Sequence, residues 1–347
     1  MLESNGLFFL DPKDERWMTF IESHPQANIF HHPAWIQLLY ETYGYRPFIT
    51  AMSDAGGKIC AGIPVMEVKS LFTGRRWVSL PFSDYCIPLA NDEQCLRTLL
   101  NRLAQYREAQ GIPNIELRWE LPGSTPFYHS DAQYILQTIP LDRNPEVVAK
   151  RFERVHRQNI RSAEKRGVVI EKGDQFEHMR IYYNLQLETR HRKGIPAQPW
   201  SYFSKLVPLI FEKGLGFVLL ARKDDEYLAG IVFFNWGKSM VAKYAASRED
   251  SLNLRPNNLL FWTGIQWGCE HGFAEFDMGR TDIDHAGLRR YKKGWGASEK
   301  PLYYSTLSTR QARPTDGKIM DIVHRVIQNS PVWVCRISGE LLYRHIG

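Results

Sequence analysis

The chain has 347 residues, 44% of them apolar and 24% charged, which suits one or two globular domains and excludes a fibrous or disordered protein. No apolar run approaches the roughly 18 residues that a membrane span needs, and "GLFFL" near the start is too short for a secretory signal, so a cytoplasmic setting is expected. The five cysteines, Cys60, Cys86, Cys95, Cys269 and Cys335, form no C-x-x-C pair, so neither a disulfide framework nor a zinc site is signalled, and the net charge of +6 points to an acidic partner such as phosphate, nucleic acid or a membrane surface.

In chain order, His31 and His32 precede Pro33 without metal-ligand spacing and read as a turn and helix cap. "RPFITAMSDAGGKICAGIPVMEV" gives two apolar runs around a Ser-Asp-Ala-Gly-Gly turn, the pattern of a hairpin. A further strand ("RRWVSLPF"), a helix ending near Gly111 and a strand through Ile115-Glu116-Leu117 follow. Asn144 before Pro145 predicts a helix start and Gly167 a stop, so one helix is expected across this segment. Along it Arg154, Arg157, Arg161 and Lys165 share one face at three- and four-residue steps, while Val148, Phe152, Val155 and Ile160 supply an apolar one. The cationic face suits phosphates, or is a solvated face paired with Glu153 and Glu164.

"ETRHRKGIPAQPW" carries Arg190, His191, Arg192 and Lys193 out of a helix into a donor-rich loop stiffened by Pro196 and Pro199, with Gln198 between them. The earlier pattern then recurs: a hairpin ("GFVLLARKDDEYLAGIVFFNW"), a strand ("KSMVAKYAAS", holding Lys243 and Tyr244), a helix containing Asn257 that ends near Gly272, and a strand through Phe276-Asp277-Met278. Two copies of one α/β unit with a mostly antiparallel sheet are therefore expected. Asp277 lies inside the last strand, and a carboxylate there must be paired or face a cleft. Arg280, Asp282, Asp284 and His285 follow, then Arg289, Arg290, Lys292 and Lys293 around Tyr291, then Gly-Trp295-Gly. Cations beside a carboxylate suit a pocket that holds an anion and handles a proton; a structural Asp277–Arg280 pair is the alternative. The tail carries a last helix broken by Pro331. There is no G-x-S-x-G, Walker loop, G-x-G-x-x-G or H-E-x-x-H, and no metal is called for.

Together "RQNIRSAEKRGVVI", "TRHRKGIPAQP", "LRPNNLLFWTGIQWGCEHGFAEFDMGRT", "GLRRYKKGWGA" and "PLYY" resemble the FemABX-like family, peptidoglycan-bridge aminoacyltransferases and relatives built from two GNAT-type domains, over roughly residues 28 to 347. The resemblance implies an α/β (α+β) fold of tandem GNAT-like domains, residues 1–144 and 145–310, each a mixed, mostly antiparallel sheet flanked by helices, with a helical segment 311–347 packing back on the body. It implies transfer of an acyl or aminoacyl group to an amine or hydroxyl of a cell-envelope precursor, of peptidoglycan or exopolysaccharide, directly and in a cleft. The partners it implies are an anionic precursor (sugar nucleotide or lipid-linked), tRNA as carrier and a membrane face, with no DNA. The donor is aminoacyl-tRNA or acyl-CoA. Asp277 and Lys292 are the expected catalytic residues, Asp277 accepting a proton or orienting the amine. Arg157, Arg161, Arg190, Lys193, Gln198, Lys243, Tyr244, Asn257, Arg280, Lys293 and Trp295 are the expected substrate contacts. The sequence departs from CoA-using relatives at "SREDSLNLRPNNLL", which lacks a Q/R-x-x-G-x-G/A loop, and from some bridge-forming members in lacking a coiled-coil arm. An acyl-CoA-dependent acyltransferase and a non-catalytic RNA- or precursor-binding module are the rival readings.

Overall fold

A computed structural model describes residues 6–70, 74–123, 127–129, 134–308 and 324–346. The first expected hairpin forms from Arg46–Ser53 and Ile59–Ser70, in register from Arg46↔Glu67 to Ser53↔Ile59. Its turn is closed by Asp54, whose Oδ1 accepts from the N–H groups of Gly56 and Lys58 at 2.9 and 3.0 Å. Gly74–Val78 adds to the hairpin, and Glu93–Ala109 follows as a helix capped by Asp92. Because a helix intervenes, the chain returns parallel: Asn114–Leu117 pairs with Gly74–Val78 at Trp77↔Ile115 and Val78↔Glu116.

The second half repeats this order. Gly216–Lys223 and Glu226–Trp236 form the hairpin, Ser239–Ser247 adds antiparallel, the helix Pro256–Glu270 crosses over, and Glu275–Asp282 returns parallel. Val241↔Asp277 occupies the place of Val78↔Glu116, so the alignment of Ile115-Glu116-Leu117 with Phe276-Asp277-Met278 holds in three dimensions. Each half is a mixed, mostly antiparallel sheet with helices on it, the expected fold class.

The halves are not contiguous in sequence, which is where the structure differs from the expected division at 144/145 and 310/311. Two compact units take the described residues of Met1–Tyr134, Pro301–Arg313 and Arg344–Gly347 on one side, and of Ile135–Lys300 and Pro314–Tyr343 on the other. The strand Tyr134–Pro140 lies between Ser298–Leu302 and Glu275–Asp282 in the second sheet, and Ser305–Ser308 pairs with Asn114–Leu117 in the first. Alternation marks a strand but not the sheet whose edge it joins. Of the expected C-terminal segment, residues 311–323 lie outside the described residues; the helix Val332–Ile346 follows Pro331.

The segment after Asn144 also differs. Asn144 caps as expected, its side chain accepting from Glu146 N–H, but Pro145–Ala149 and Arg154–Lys165 are separate helices. Between them Phe152 is buried and Glu153 N–H donates to Gly294 O at 2.8 Å, a long-range bond that helical periodicity cannot show. Val155, expected on the apolar face, is 48% exposed; Ile160 is buried as expected, with His156 and Ala163 facing inward beside it.

His32 caps the helix Pro33–Tyr43 as the sequence suggests, and His31 is fully buried. The His31 Nε2–H donates to Ile87 O at 2.8 Å, and Nδ1 accepts from Asn28 N–H at 3.1 Å. Burial pushes its pKa down to about 4, against those backbone bonds. The folded value lies below the unfolded one, so its contribution is fully present above about pH 6.5 and is lost as pH falls toward about 4, by up to about 3 kcal/mol. Urea unfolding across this window should show a steep acid loss in the wild type and a shallower one in His31→Gln; parallel slopes would contradict the assignment.

Candidate active site

Within the second unit, the parallel pair is short. Ser239↔Glu275, Met240↔Phe276 and Val241↔Asp277 are in register, and beyond them both strands run on, to Ser247 and Asp282, without pairing to each other. A bulge at Lys243 marks the parting: Val232 faces Tyr244 while Phe233 faces Ala242, which leaves Lys243 as the extra residue. One lip of the parting therefore carries Lys243 and Tyr244, and the other carries Gly279 and Arg280.

Gly279 sits in mid-strand at φ +72°, a left-handed conformation that glycine adopts without steric cost. Its N–H donates to Asp277 Oδ1 at 2.7 Å, and its carbonyl accepts from Lys292 Nζ at 2.8 Å. The same ammonium lies 3.4 Å from Arg280 O. Asp277 is fully buried and Lys292 nearly so, which a carboxylate and an ammonium tolerate only with partners of this kind. The two residues expected to be catalytic are thus brought together on the backbone of one glycine.

The short helix Ala286–Lys293 that delivers Lys292 is anchored from behind. Thr281 Oγ1 donates to Gln137 Oε1 at 3.0 Å, and Gln137 Nε2 donates to Arg289 O and Glu299 Oε1 at 3.0 and 3.1 Å. The Arg289 guanidinium bonds Glu299 twice at 3.3 Å and reaches Ile283 O at 3.0 Å. Gln137 escaped the sequence reading, where it looks like any residue of an alternating strand.

On the other lip, Gln198 Nε2 donates to Tyr244 Oη at 3.3 Å, and Tyr244 Oη lies 2.9 Å from Tyr202 Oη. Gln198 is buried at 3% exposure, and its Oε1 has no hydrogen-bond partner among the described residues. The Lys243 ammonium lies 5.5 Å from the Tyr244 ring centre. The donor-rich loop is held on this strand by Thr189, whose Oγ1 bonds both Ser247 N and Ser247 O, and by Arg192 Nη1 on the same carbonyl at 3.2 Å.

The remaining expected residues divide. Arg190 is half-buried and Lys193 exposed, at the end of the helix Phe176–Arg192. Asn257 stands half-buried in the first turn of Pro256–Glu270, its Oδ1 without a partner among the described residues. Arg161 and Lys293 are exposed, whereas the Arg157 guanidinium donates to Phe152 O. Trp295, expected as a substrate contact, is fully buried against Phe152, His156 and Phe261 and packs the core. His156, missed in the basic helix, accepts from Asn258 Nδ2 at 3.0 Å, and burial lowers its pKa. Among the described residues no group of three or more potential ligands could hold a metal ion.

Lys292, expected to be catalytic, is buried on two backbone carbonyls, whereas Lys293, expected to contact substrate, is exposed. Lys292→Met should destabilise the protein by about 1–3 kcal/mol, the range for losing charge-assisted bonds to buried carbonyls, while Lys293→Met leaves the urea midpoint unchanged. Equal midpoints for the two variants would sink the structural role of Lys292.

With this geometry in hand, comparison with known proteins is informative. The acetyltransferase (GNAT) domain family matches residues 150–293. A lipid II:glycine glycyltransferase of Staphylococcus epidermidis is 21% identical, the match covering 81% of this chain and 88% of that one. The crystal structure of FemX is similar with a TM-score of 0.69 at 17% identity, over 86% of this chain and 96% of that chain. The structure of L-PGS from Bacillus licheniformis is similar with a TM-score of 0.58 at 13% identity, over 94% and 100%. Both structural likenesses concern the fold.

Proposed function

From the premise that the chain is a FemABX-like acyl/aminoacyltransferase of the GNAT fold, we propose that it moves an aminoacyl group from aminoacyl-tRNA onto an amine of a lipid-linked peptidoglycan precursor, at the cytoplasmic face of a membrane. The observation that carries this is the parted strand pair, with Lys243 and Tyr244 on one lip and Gly279 and Arg280 on the other. The name of the glycyltransferase relative favours a lipid-linked peptidoglycan acceptor over an exopolysaccharide one.

The step balances without a covalent enzyme intermediate. The acceptor nitrogen attacks the ester carbonyl that joins the amino acid to the terminal ribose of tRNA. A C–N bond forms, the C–O ester bond breaks, and the proton lost by the amine passes to the departing ribose oxygen. Most of the acceleration comes from alignment and from charge placed where the oxyanion forms. Asp277 and Lys292 act as positioning residues, because they fix the two polar groups of Gly279. Arg190, Lys193, Arg161 and Lys293 are the cations placed to meet phosphates of donor or acceptor, with Arg280 and Asn257 nearer the parting strands. Tyr244, held by Gln198 and Tyr202, orients the acyl group.

An acyl-CoA donor is the second reading, favoured by the GNAT match itself. Against it stands the helix start after the bulged strand, where Pro256 contributes no N–H and Asn258 N–H is already bonded to Arg255 O. The test is transfer of labelled amino acid from charged tRNA to a lipid-linked precursor, run beside labelled acyl-CoA with the same acceptor. Label from tRNA alone supports the proposal, and label from acyl-CoA alone overturns its donor. Tyr244→Phe keeps the ring packing on Phe203 and Phe234 but loses the hydroxyl. It should lower kcat/KM about tenfold with an unchanged melting temperature; unimpaired turnover would remove Tyr244 from the site.

A further inference from the structure

The helix Val332–Ile346 has two unlike faces. Its inner face is locked to the loop after Gly194: Ala197 N–H donates to Cys335 O at 3.2 Å, Cys335 Sγ to Ile195 O at 3.3 Å, and Tyr343 Oη to Pro196 O at 3.3 Å. A Cβ on Gly339 would stand 1.6 Å from Ala197 O, so this face cannot rotate outward without separating helix and loop. On the outer face Trp333, Ile337 and Leu341, spaced by four residues, are 62%, 46% and 64% exposed. Helical spacing aligns these side chains in one stripe.

The charges around the stripe are net cationic. Glu340 is paired with Arg336 at 3.1 Å, which leaves the exposed Arg344, three residues after Leu341, as the uncompensated charge on this face. The stripe consists of three side chains on a helix about 22 Å long, too narrow for the roughly 800 Å² per partner that a stable dimer buries. Tryptophan, aliphatic side chains and arginines whose stems lie along apolar surface are the composition of a helix lying in a lipid interface.

We propose that this outer face lies in the headgroup layer of an anionic bilayer. Trp333, Ile337 and Leu341 enter the boundary with the acyl chains, and Arg344 meets lipid phosphate. The inference rests on the reading that the acceptor is lipid-linked, and it names the surface that brings the enzyme to that acceptor. Among the described residues no helix is long and apolar enough to cross a membrane, so the contact is peripheral.

Co-sedimentation with vesicles tests it, using phosphatidylcholine containing about 30% phosphatidylglycerol beside pure phosphatidylcholine. The full chain should bind the anionic vesicles, with affinity falling as salt rises. The double variant Ile337→Glu, Leu341→Glu should bind at least about tenfold more weakly at an unchanged melting temperature, because both side chains point into solvent. The variant should keep its turnover on a water-soluble acceptor without the lipid tail and lose turnover on the lipid-linked acceptor in vesicles. Binding needs no turnover to be read, so an inactive but vesicle-bound protein would fail the transfer reading and leave the surface standing. Equal binding by both proteins, or no binding by the wild type, overturns the surface. A light-scattering mass that shows a wild-type dimer broken by the double variant would assign the stripe to a second copy instead.

Discussion

A parallel strand pair that separates after three registered residues creates a problem that the rest of the second unit answers. Each strand leaving the pair carries backbone N–H and C=O groups that need new partners. Ser239–Ser247 keeps its other neighbour along its length, with a bulge that turns Lys243 out of the ladder. On Glu275–Asp282 the groups of Gly279 are met by side chains, Asp277 for the N–H and Lys292 for the carbonyl. The gap therefore stays open without stranded polar groups on that residue, and the chain is free to present side chains and backbone to a ligand there.

The duplicated architecture supplies an internal control. In the first unit Glu116 stands where Asp277 stands in the second, in the last register position of a parallel match two residues long rather than three. There the strands are tied again: Ser79 N–H donates to Glu116 O at 2.8 Å, Arg118 N–H to Ser79 Oγ at 2.7 Å, and Cys86 N–H to Arg118 O at 3.0 Å. Glu116 pairs with Arg118 at 3.0 Å, its immediate neighbour on the same strand face. The first unit has the fold but sews the parting shut with a serine and a loop. The second unit keeps the parting open, and it is the unit in which the GNAT domain match lies.

Much of the fold was legible because it follows from local signals: turn residues closing hairpins, Asn144 and Asp92 capping helices, and glycines at Gly111 and Gly272 ending them at φ +59° and +76°. The repeat was legible because each copy presents those signals in one order. Long-range choices were not. Nothing in "YILQTIP" or "YSTLS" says which sheet takes it, and the helix break at Phe152 and Glu153 depends on Gly294, more than a hundred residues away. In the site, residue types were readable and facing was not. Asp277 had to be partnered, as its place in a strand required, and one partner that its spacing did not suggest is the backbone N–H of the glycine two residues later.

The Gly-Trp-Gly segment shows how the core and the site are one construction. Trp295 fills the space between Phe152, His156 and Phe261, and Gly294 lets the backbone lie against His156, since a Cβ there would stand 2.4 Å from Nε2. That close approach fixes the start of Arg154–Lys165 against the end of Ala286–Lys293, through Glu153 N–H on Gly294 O. The basic helix and the helix bearing Lys292 are therefore set by the same tryptophan. A side chain larger than hydrogen at Gly294 would have to push His156 from Asn258, and with it the first turn of Pro256–Glu270 that carries Asn257. A tryptophan in a loop full of cations looks like a binding platform in the sequence. In the fold it is the wedge that sets where those cations stand.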